Sequence, residues 1–390
     1  MCNTDIPVSV RAVVVVGLSS LAAAMGVGRF ALTPLMPLMQ EAFGMTLTQG
    51  AWLASANYLG YFVGAGCTFL LNPRAGLSAR VGLVIVAVST LLMGLTGSFG
   101  AWLALRFISG IGSAFVLVGA STWAMSHLAL HRRSEASGWV FAGVGVGVIL
   151  AGLVALAFGV SGQDPDTAWV LLGAVCALVA AGTWRPLSTP VTGLHDREVR
   201  SPPPLTRSGW TLVACYGVFG FGYIIPATFI PATARALAND PAVFGWIWPA
   251  FGLAAAASTV AISTIFRVTP PRRVAAWSLV VMSIGVAAPL FQMSVFSLVV
   301  SSLCVGGTFM VMTMAGAQEA RRIAVGSPTR LMAALTSAFA IGQMAGPLVI
   351  SVGRARNALA LASGSAVALL LLSSLVLLSA SARTGRTILD

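Results

Sequence analysis

The chain contains no lysine; its 22 basic residues are all arginine. Without a lysine, no glycine-rich segment can serve as a nucleotide-binding P-loop, which needs that side chain on the phosphates. Charge of either sign is scarce, 8% of the 390 residues against 57% hydrophobic. Polar side chains this sparse cannot coat a water-soluble domain of the same size, so the chain belongs in lipid. The formal net charge of +12 falls singly or in pairs between apolar runs. It lacks the polybasic stripe and interleaved aromatics of a nucleic-acid surface, so no nucleic-acid partner is expected. Cysteine is also thin. Cys2, Cys67, Cys176, Cys215 and Cys304 are scattered, mostly inside apolar runs and without a Cys/His cluster, so they read as small buried hydrophobes and no metal or cofactor site is expected. Paired acids, a histidine cluster or an activated nucleophile within the spans, which an intramembrane enzyme needs, are missing too.

What the chain does have is apolar runs. A hydrocarbon layer about 30 Å thick takes about 20 helical residues, and twelve such runs occur, at about 12–38, 50–71, 80–98, 101–126, 137–160, 168–184, 209–232, 243–266, 274–292, 295–317, 331–352 and 358–380. The first is too long for a signal-peptide core and has no small-residue cleavage site. With the N-terminus inside, seventeen of the 22 arginines fall on the cytoplasmic side and three (Arg235, Arg354, Arg356) on the other, while Arg29 and Arg106 lie within spans. The positive-inside rule therefore places both termini in the cytoplasm. The hydrophilic stretch 185–208, with Pro202, Pro203 and Pro204, reads as a linker between two six-helix halves, 1–184 and 209–390. The other loops are too short to hold a soluble domain.

The halves are related. A shift of 194 positions sets Gly28 on Gly222, Pro37 on Pro231, Trp52 on Trp246, Gly112 on Gly306 and Phe115 on Phe309. One offset across three helix pairs is the mark of a duplicated six-helix unit. A slightly larger shift sets Gly143 and Gly147 on Gly342 and Gly346.

Several motifs add to this. The fourth span opens Arg106-Phe-Ile-Ser-Gly110-Ile-Gly112, which resembles the Arg-x-x-x-Gly-x-Gly motif of the major facilitator superfamily. Gly138 to Gly147 in span 5 and Gly342-Gln343-Met344-Ala345-Gly346-Pro347 in span 11 resemble its glycine-rich antiporter motif, although the span 5 copy lacks the proline. The loop after span 2, Leu71 to Arg80, has no Asp, so the gating salt bridge usual there is not expected. Gly28-Arg29-Phe30-Ala-Leu-Thr33-Pro34-Leu-Met-Pro37, followed by Ala56-Asn57-Tyr58-Leu59-Gly60-Tyr61, resembles the YbfB/YjiJ group of bacterial transporters over essentially the whole chain. The resemblance implies an all-α polytopic fold of twelve transmembrane helices in two pseudo-symmetric six-helix bundles, a transport role, and a central cavity lined by helices 1 and 4.

Arg29 and Arg106 are the first site candidates. A guanidinium in hydrocarbon costs roughly 2.5–3.5 kcal/mol on insertion scales, so each must face a cavity or a partner. The repeat pairs them with Tyr223 and Val300, so the charge is one-sided, and two such forks suit one anionic group. The plainer reading has Arg106 bonding backbone carbonyls of a neighbouring helix and Arg29 pairing with a helix end. Asn57, Tyr58, Tyr61, Tyr223 and Gln343 could orient a polar solute or bond helix to helix. Gly110, Gly112, Gly143, Gly147, Gly342 and Gly346 are expected to allow close helix packing. Pro34, Pro37, Pro226 and Pro231 should bend or break helices 1 and 7. The acids fall in loops or at span ends, Glu319 among them, so proton-coupled export of cations has no obvious carrier; Glu319 and His127 are weak relay candidates. The expected function is secondary active transport of a small organic solute, an anion on the arginine argument, across a bacterial inner membrane by a monomer, with a proton as candidate coupling ion. Proton-coupled efflux of drugs or toxic metabolites is the alternative, and a non-transporting receptor the third.

Overall fold

In the computed structural model the described residues are 8–190, 205–237, 245–324, 328–352 and 358–386. Arg197, Arg200, Arg354, Arg356, the three linker prolines and the acids Asp5, Asp196, Glu198, Asp240 and Asp390 lie outside them. Among the described residues all regular structure is helical. The first span is α1 (Val10–Leu21), a π-helical segment (Ala22–Val27) and α2 (Leu32–Phe43); α3 (Leu47–Leu71), α4 (Ala75–Met93), α5 (Phe99–Leu130), α6 (Ser137–Ser161) and α7 (Pro165–Leu187) complete the first half. The second half is α8 (Arg207–Leu237), α9 (Ile247–Ile265), α10 (Pro271–Phe291), α11 (Val295–Ile323), α12 (Pro328–Val352) and α13 (Ala358–Arg386). Ten of the resulting segments are long and apolar enough to cross a membrane. The remaining two long helices, α3 and α12, are those that carry Asn57, Tyr58, Tyr61 and Gln343, and they pack on each other.

Hydrophobic residues such as Leu178 and Phe291 point outward, 74% and 89% exposed, which suits a lipid surface and no other. Trp52 and Trp246, equated by the repeat, are both exposed at the starts of α3 and α9. Tryptophans so placed anchor helix ends at the bilayer interface. Each half builds the same way: α5 packs on α3 and α4, and α11 on α9 and α10. Two seams join the halves, α6 with α9 and α3 with α12.

Glycine makes the closest approaches. A Cβ at Gly143 would stand 2.0 Å from the Leu18 carbonyl oxygen and one at Gly147 2.2 Å from that of Ala22, so these glycines seat α6 on the first span. Gly342 and Gly346 seat α12 on α8 in the same way, against Gly217 and Ile224. Gly110 meets the Asn57 carbonyl and Gly112 that of Gly82, binding α5 to α3 and α4. All six motif glycines thus sit at helix crossings, where a side chain would collide with backbone or, at Gly346, with the Ile224 side chain.

The proline expectation needs correcting at one point: no break occurs in α8, which runs through Pro226 and Pro231 to Leu237. The first span is interrupted between Ala22 and Ala31, directly ahead of Pro34 in the first turn of α2, while Pro37 lies inside that helix without breaking it.

Candidate functional site

The π-helical segment leaves carbonyls without their usual partners: Gly28 N–H donates to Ala23 and Phe30 N–H to Met25, five residues back in each case. Helix α5 fills the deficit. Arg106, Ser109 and Ser113, spaced i, i+3, i+7, share one face. Arg106 donates Nη1 to the Gly28 carbonyl at 2.9 Å and Nη2 to the Arg29 carbonyl at 2.8 Å. Ser109 donates to Gly28 and Ser113 to Ala24, each at 2.8 Å. The Arg106 fork is therefore spent on backbone. Its two bonds go to backbone carbonyls of the first span, and it does not converge with Arg29 on one group in this arrangement.

This clamp presents Arg29 to the centre of the molecule. Arg29 is 3% exposed, and its guanidinium carbon lies 3.6 Å from the centroid of the Tyr61 ring, with Tyr58, Phe30 and Phe339 rings between 5.5 and 5.8 Å. A desolvated cation over an aromatic face gains about 2 kcal/mol, which offsets part of its burial. Nη2 donates to Oε1 of Gln343, on α12 of the other half. Among the described residues no carboxylate pairs with Arg29. Its Nε and Nη1 and Gln343 Nε2 are buried with no hydrogen-bond partner, as are Arg106 Nε and the acceptor Asn57 Oδ1.

Asn57 is wholly buried and donates to the Arg106 carbonyl at 3.0 Å. It ties α3 to α5 and so fixes Tyr61, one turn on. Tyr223 lies in the aromatic wall, stacked on Phe309 at 5.2 Å and tilted to Phe339 at 5.8 Å. Sequence reasoning missed Ser109, Ser113, Phe30, Phe309 and Phe339. The serines had a signal in their spacing from Arg106; the phenylalanines had none, because apolar spans are full of them.

The two halves enclose a cavity of about 20 Å³ beside this cluster, lined by Met25, Phe30 and Tyr61 from the first and by Tyr216, Phe309 and Phe339 among others from the second. That holds about one water molecule, so this cavity as it stands has no room for an organic solute. At the arginine-rich end further bonds cross between halves: Gln318 donates to Ser137 at 3.0 Å and Arg321 to Ser126 at 2.8 Å. Glu319 is not solvated there. It is 2% exposed and pairs with Arg272 Nε at 2.5 Å, while Arg272 also bonds Ser208, tying α8, α10 and α11 together. His127 is buried against Trp123 and donates Nδ1–H to its carbonyl at 2.9 Å.

A solved structure of the human organic anion transporter MFSD10 superposes with a TM-score of 0.70 over 94% of this chain and 99% of its own, at 17% identity, a likeness of fold. The uncharacterised MFS-type transporter YceJ of Bacillus subtilis strain 168 is 36% identical over 93 residues, 23% of this chain; the match spans only 24% of that relative's length. The family model described as "Uncharacterised MFS-type transporter YbfB" matches residues 21–382. With that match over nearly all of its length, and with the twelve-helix fold around a closed central site, the chain belongs to the YbfB family of major facilitator transporters, membrane proteins that move small-molecule solutes.

Proposed function

We propose that this transporter carries a small organic anion, a carboxylate with an apolar or aromatic body, by alternating access between the halves 1–184 and 209–390. One observation carries the reading: the guanidinium Nε and Nη1 of Arg29 are buried donors without partners, and among the described residues no carboxylate meets them. Only an acceptor satisfies such a set, and an anion does so while neutralising the cation. The rings of Phe30, Tyr61, Phe309 and Phe339 suit the rest of the solute. Arg29 and Tyr61 bind, Gln343 acts from the opposite half, and Tyr223 packs the wall. Asn57 and Arg106 position the others.

The transporter works as a monomer in a bacterial inner membrane with both termini cytoplasmic, the arrangement favoured by the arginine distribution. Proton coupling has little support, since the one buried carboxylate among the described residues, Glu319, is held by Arg272.

The test is thermal unfolding of the detergent-purified protein against organic anions, cations and neutral solutes at two pH values. Aromatic monocarboxylates should raise the midpoint, by the equivalent of about 2.7 kcal/mol at a hundred times Kd, and Arg29→Ala should abolish the response. Stabilisation by cations or apolar drugs alone, unchanged in Arg29→Ala, would sink the anion reading in favour of drug efflux.

A further inference from the structure

Gln343 presents the wrong atom for a residue that helps to hold an anion. A binding amide would turn its N–H groups to the ligand. Here the atom against Arg29 must be the carbonyl oxygen, because a guanidinium has only donors to offer. The amide nitrogen, meanwhile, is buried and without a partner. Gln343 is wholly buried on α12, and its bond to Arg29 joins the two halves at their centre. Without it, Arg29 would lie buried with only ring faces for company. The side chain therefore does for Arg29 what a carboxylate oxygen would do, and does it less strongly, since an amide oxygen carries no charge to neutralise the guanidinium and cannot take its fork on two oxygens.

Resting on the reading above, we infer that Gln343 is a stand-in for the carried anion. In the empty transporter its oxygen occupies the place on Arg29 that a solute carboxylate takes, which lets the halves close over a buried cation with nothing bound. The incoming anion displaces it, so Gln343 competes with solute. Displacement also frees the contact across the halves, so binding and the loosening of the centre are one event.

The inference is tested by titrating sodium benzoate into purified protein, with sodium chloride at equal ionic strength as the control, and following the unfolding midpoint. Gln343→Ala removes the competitor and should bind benzoate about tenfold to a hundredfold more tightly than the parent, the range expected when one bond to a charged group no longer has to be broken. Gln343→Glu supplies a carboxylate permanently and should raise the midpoint with no anion present while losing the benzoate response. If Gln343→Ala instead weakens benzoate binding as Arg29→Ala does, Gln343 is a ligand and the stand-in role is overturned, with the anion reading intact. If parent and Gln343→Ala both ignore benzoate and every other anion tested, the anion reading itself fails and takes this inference with it.

Discussion

Arg29 and Arg106 are both buried arginines of the first half, and their surroundings make opposite predictions for them. Arg29 sits among unpartnered donors with one neutral acceptor, so it burdens the empty protein and is useful only with an anion present. Arg29→Ala should therefore leave the midpoint of the empty protein unchanged or higher, while benzoate stabilisation disappears. Arg106 holds two carbonyls of the turn that follows the π-helical segment. A lysine ammonium in its place is a point charge that cannot span both as a planar fork does. Arg106→Lys should lower the midpoint of the empty protein by the equivalent of about 1.5–3 kcal/mol, the worth of one bond to a charged group. It should also weaken benzoate binding about tenfold without abolishing it, because a sagging clamp misplaces Arg29 but leaves it there. Both quantities come from the same unfolding titration, and equal behaviour of the two variants would mean that their assigned roles are wrong. The sequence could single out these arginines because burial cost applies to any guanidinium in a span. It could not divide their tasks, since that depends on Gly28, Arg29 and Gln343 meeting across separate helices.

At the scale of helices, existence was legible and breaks were not. The apolar runs locate every span to within several residues, and the glycine spacing foretells the crossings. The prolines pointed to an interruption of the first span but not to its π-helical start, whose carbonyls and those of the turn after it are met by Arg106, Ser109 and Ser113 of α5, some eighty residues away. The same limit hid a second glycine face on α6. Gly143 and Gly147 turn to the first span, but Gly138, Gly145 and Gly152, seven apart, turn to the other half. A Cβ at Gly145 would stand 2.4 Å from the Gly252 carbonyl, one at Gly138 2.4 Å from that of Thr259, and one at Gly152 2.7 Å from the ring of Pro249. This stripe is the surface along which one half moves on the other if access alternates. Gly145→Val should force α6 and α9 apart, costing about 1–3 kcal/mol as overpacking does, and should impair flux in vesicles more than it weakens benzoate binding, since the site by Arg29 lies off the stripe. Loss of binding in equal measure would show that the stripe shapes the site and is not only a sliding surface.

For the whole molecule, the contacts between halves decide which motions are open to it. The centre is closed by Arg29 on Gln343 and by the ring wall, and the arginine-rich end by Ser137 with Gln318 and Ser126 with Arg321. These peripheral bonds are neutral or singly charged, unlike the Arg272–Glu319 pair, which stays within the second half and can travel with it as a rigid body. Opening at the arginine-rich end thus breaks weak contacts and spares the strong one. Cysteines placed at Ser137 and Gln318, in a background where the five native cysteines are replaced, should be joined by a short bismaleimide only while that end is shut. Flux of a radiolabelled carboxylate that stabilises the protein should then stop in reconstituted vesicles, whereas its binding from the opposite side should persist. Joining the same positions by a disulfide should reproduce the arrest, and a reductant should reverse it. Persistent flux through the cross-linked protein would mean that solute passes without the halves separating at this end, which rocking of two six-helix bundles does not allow.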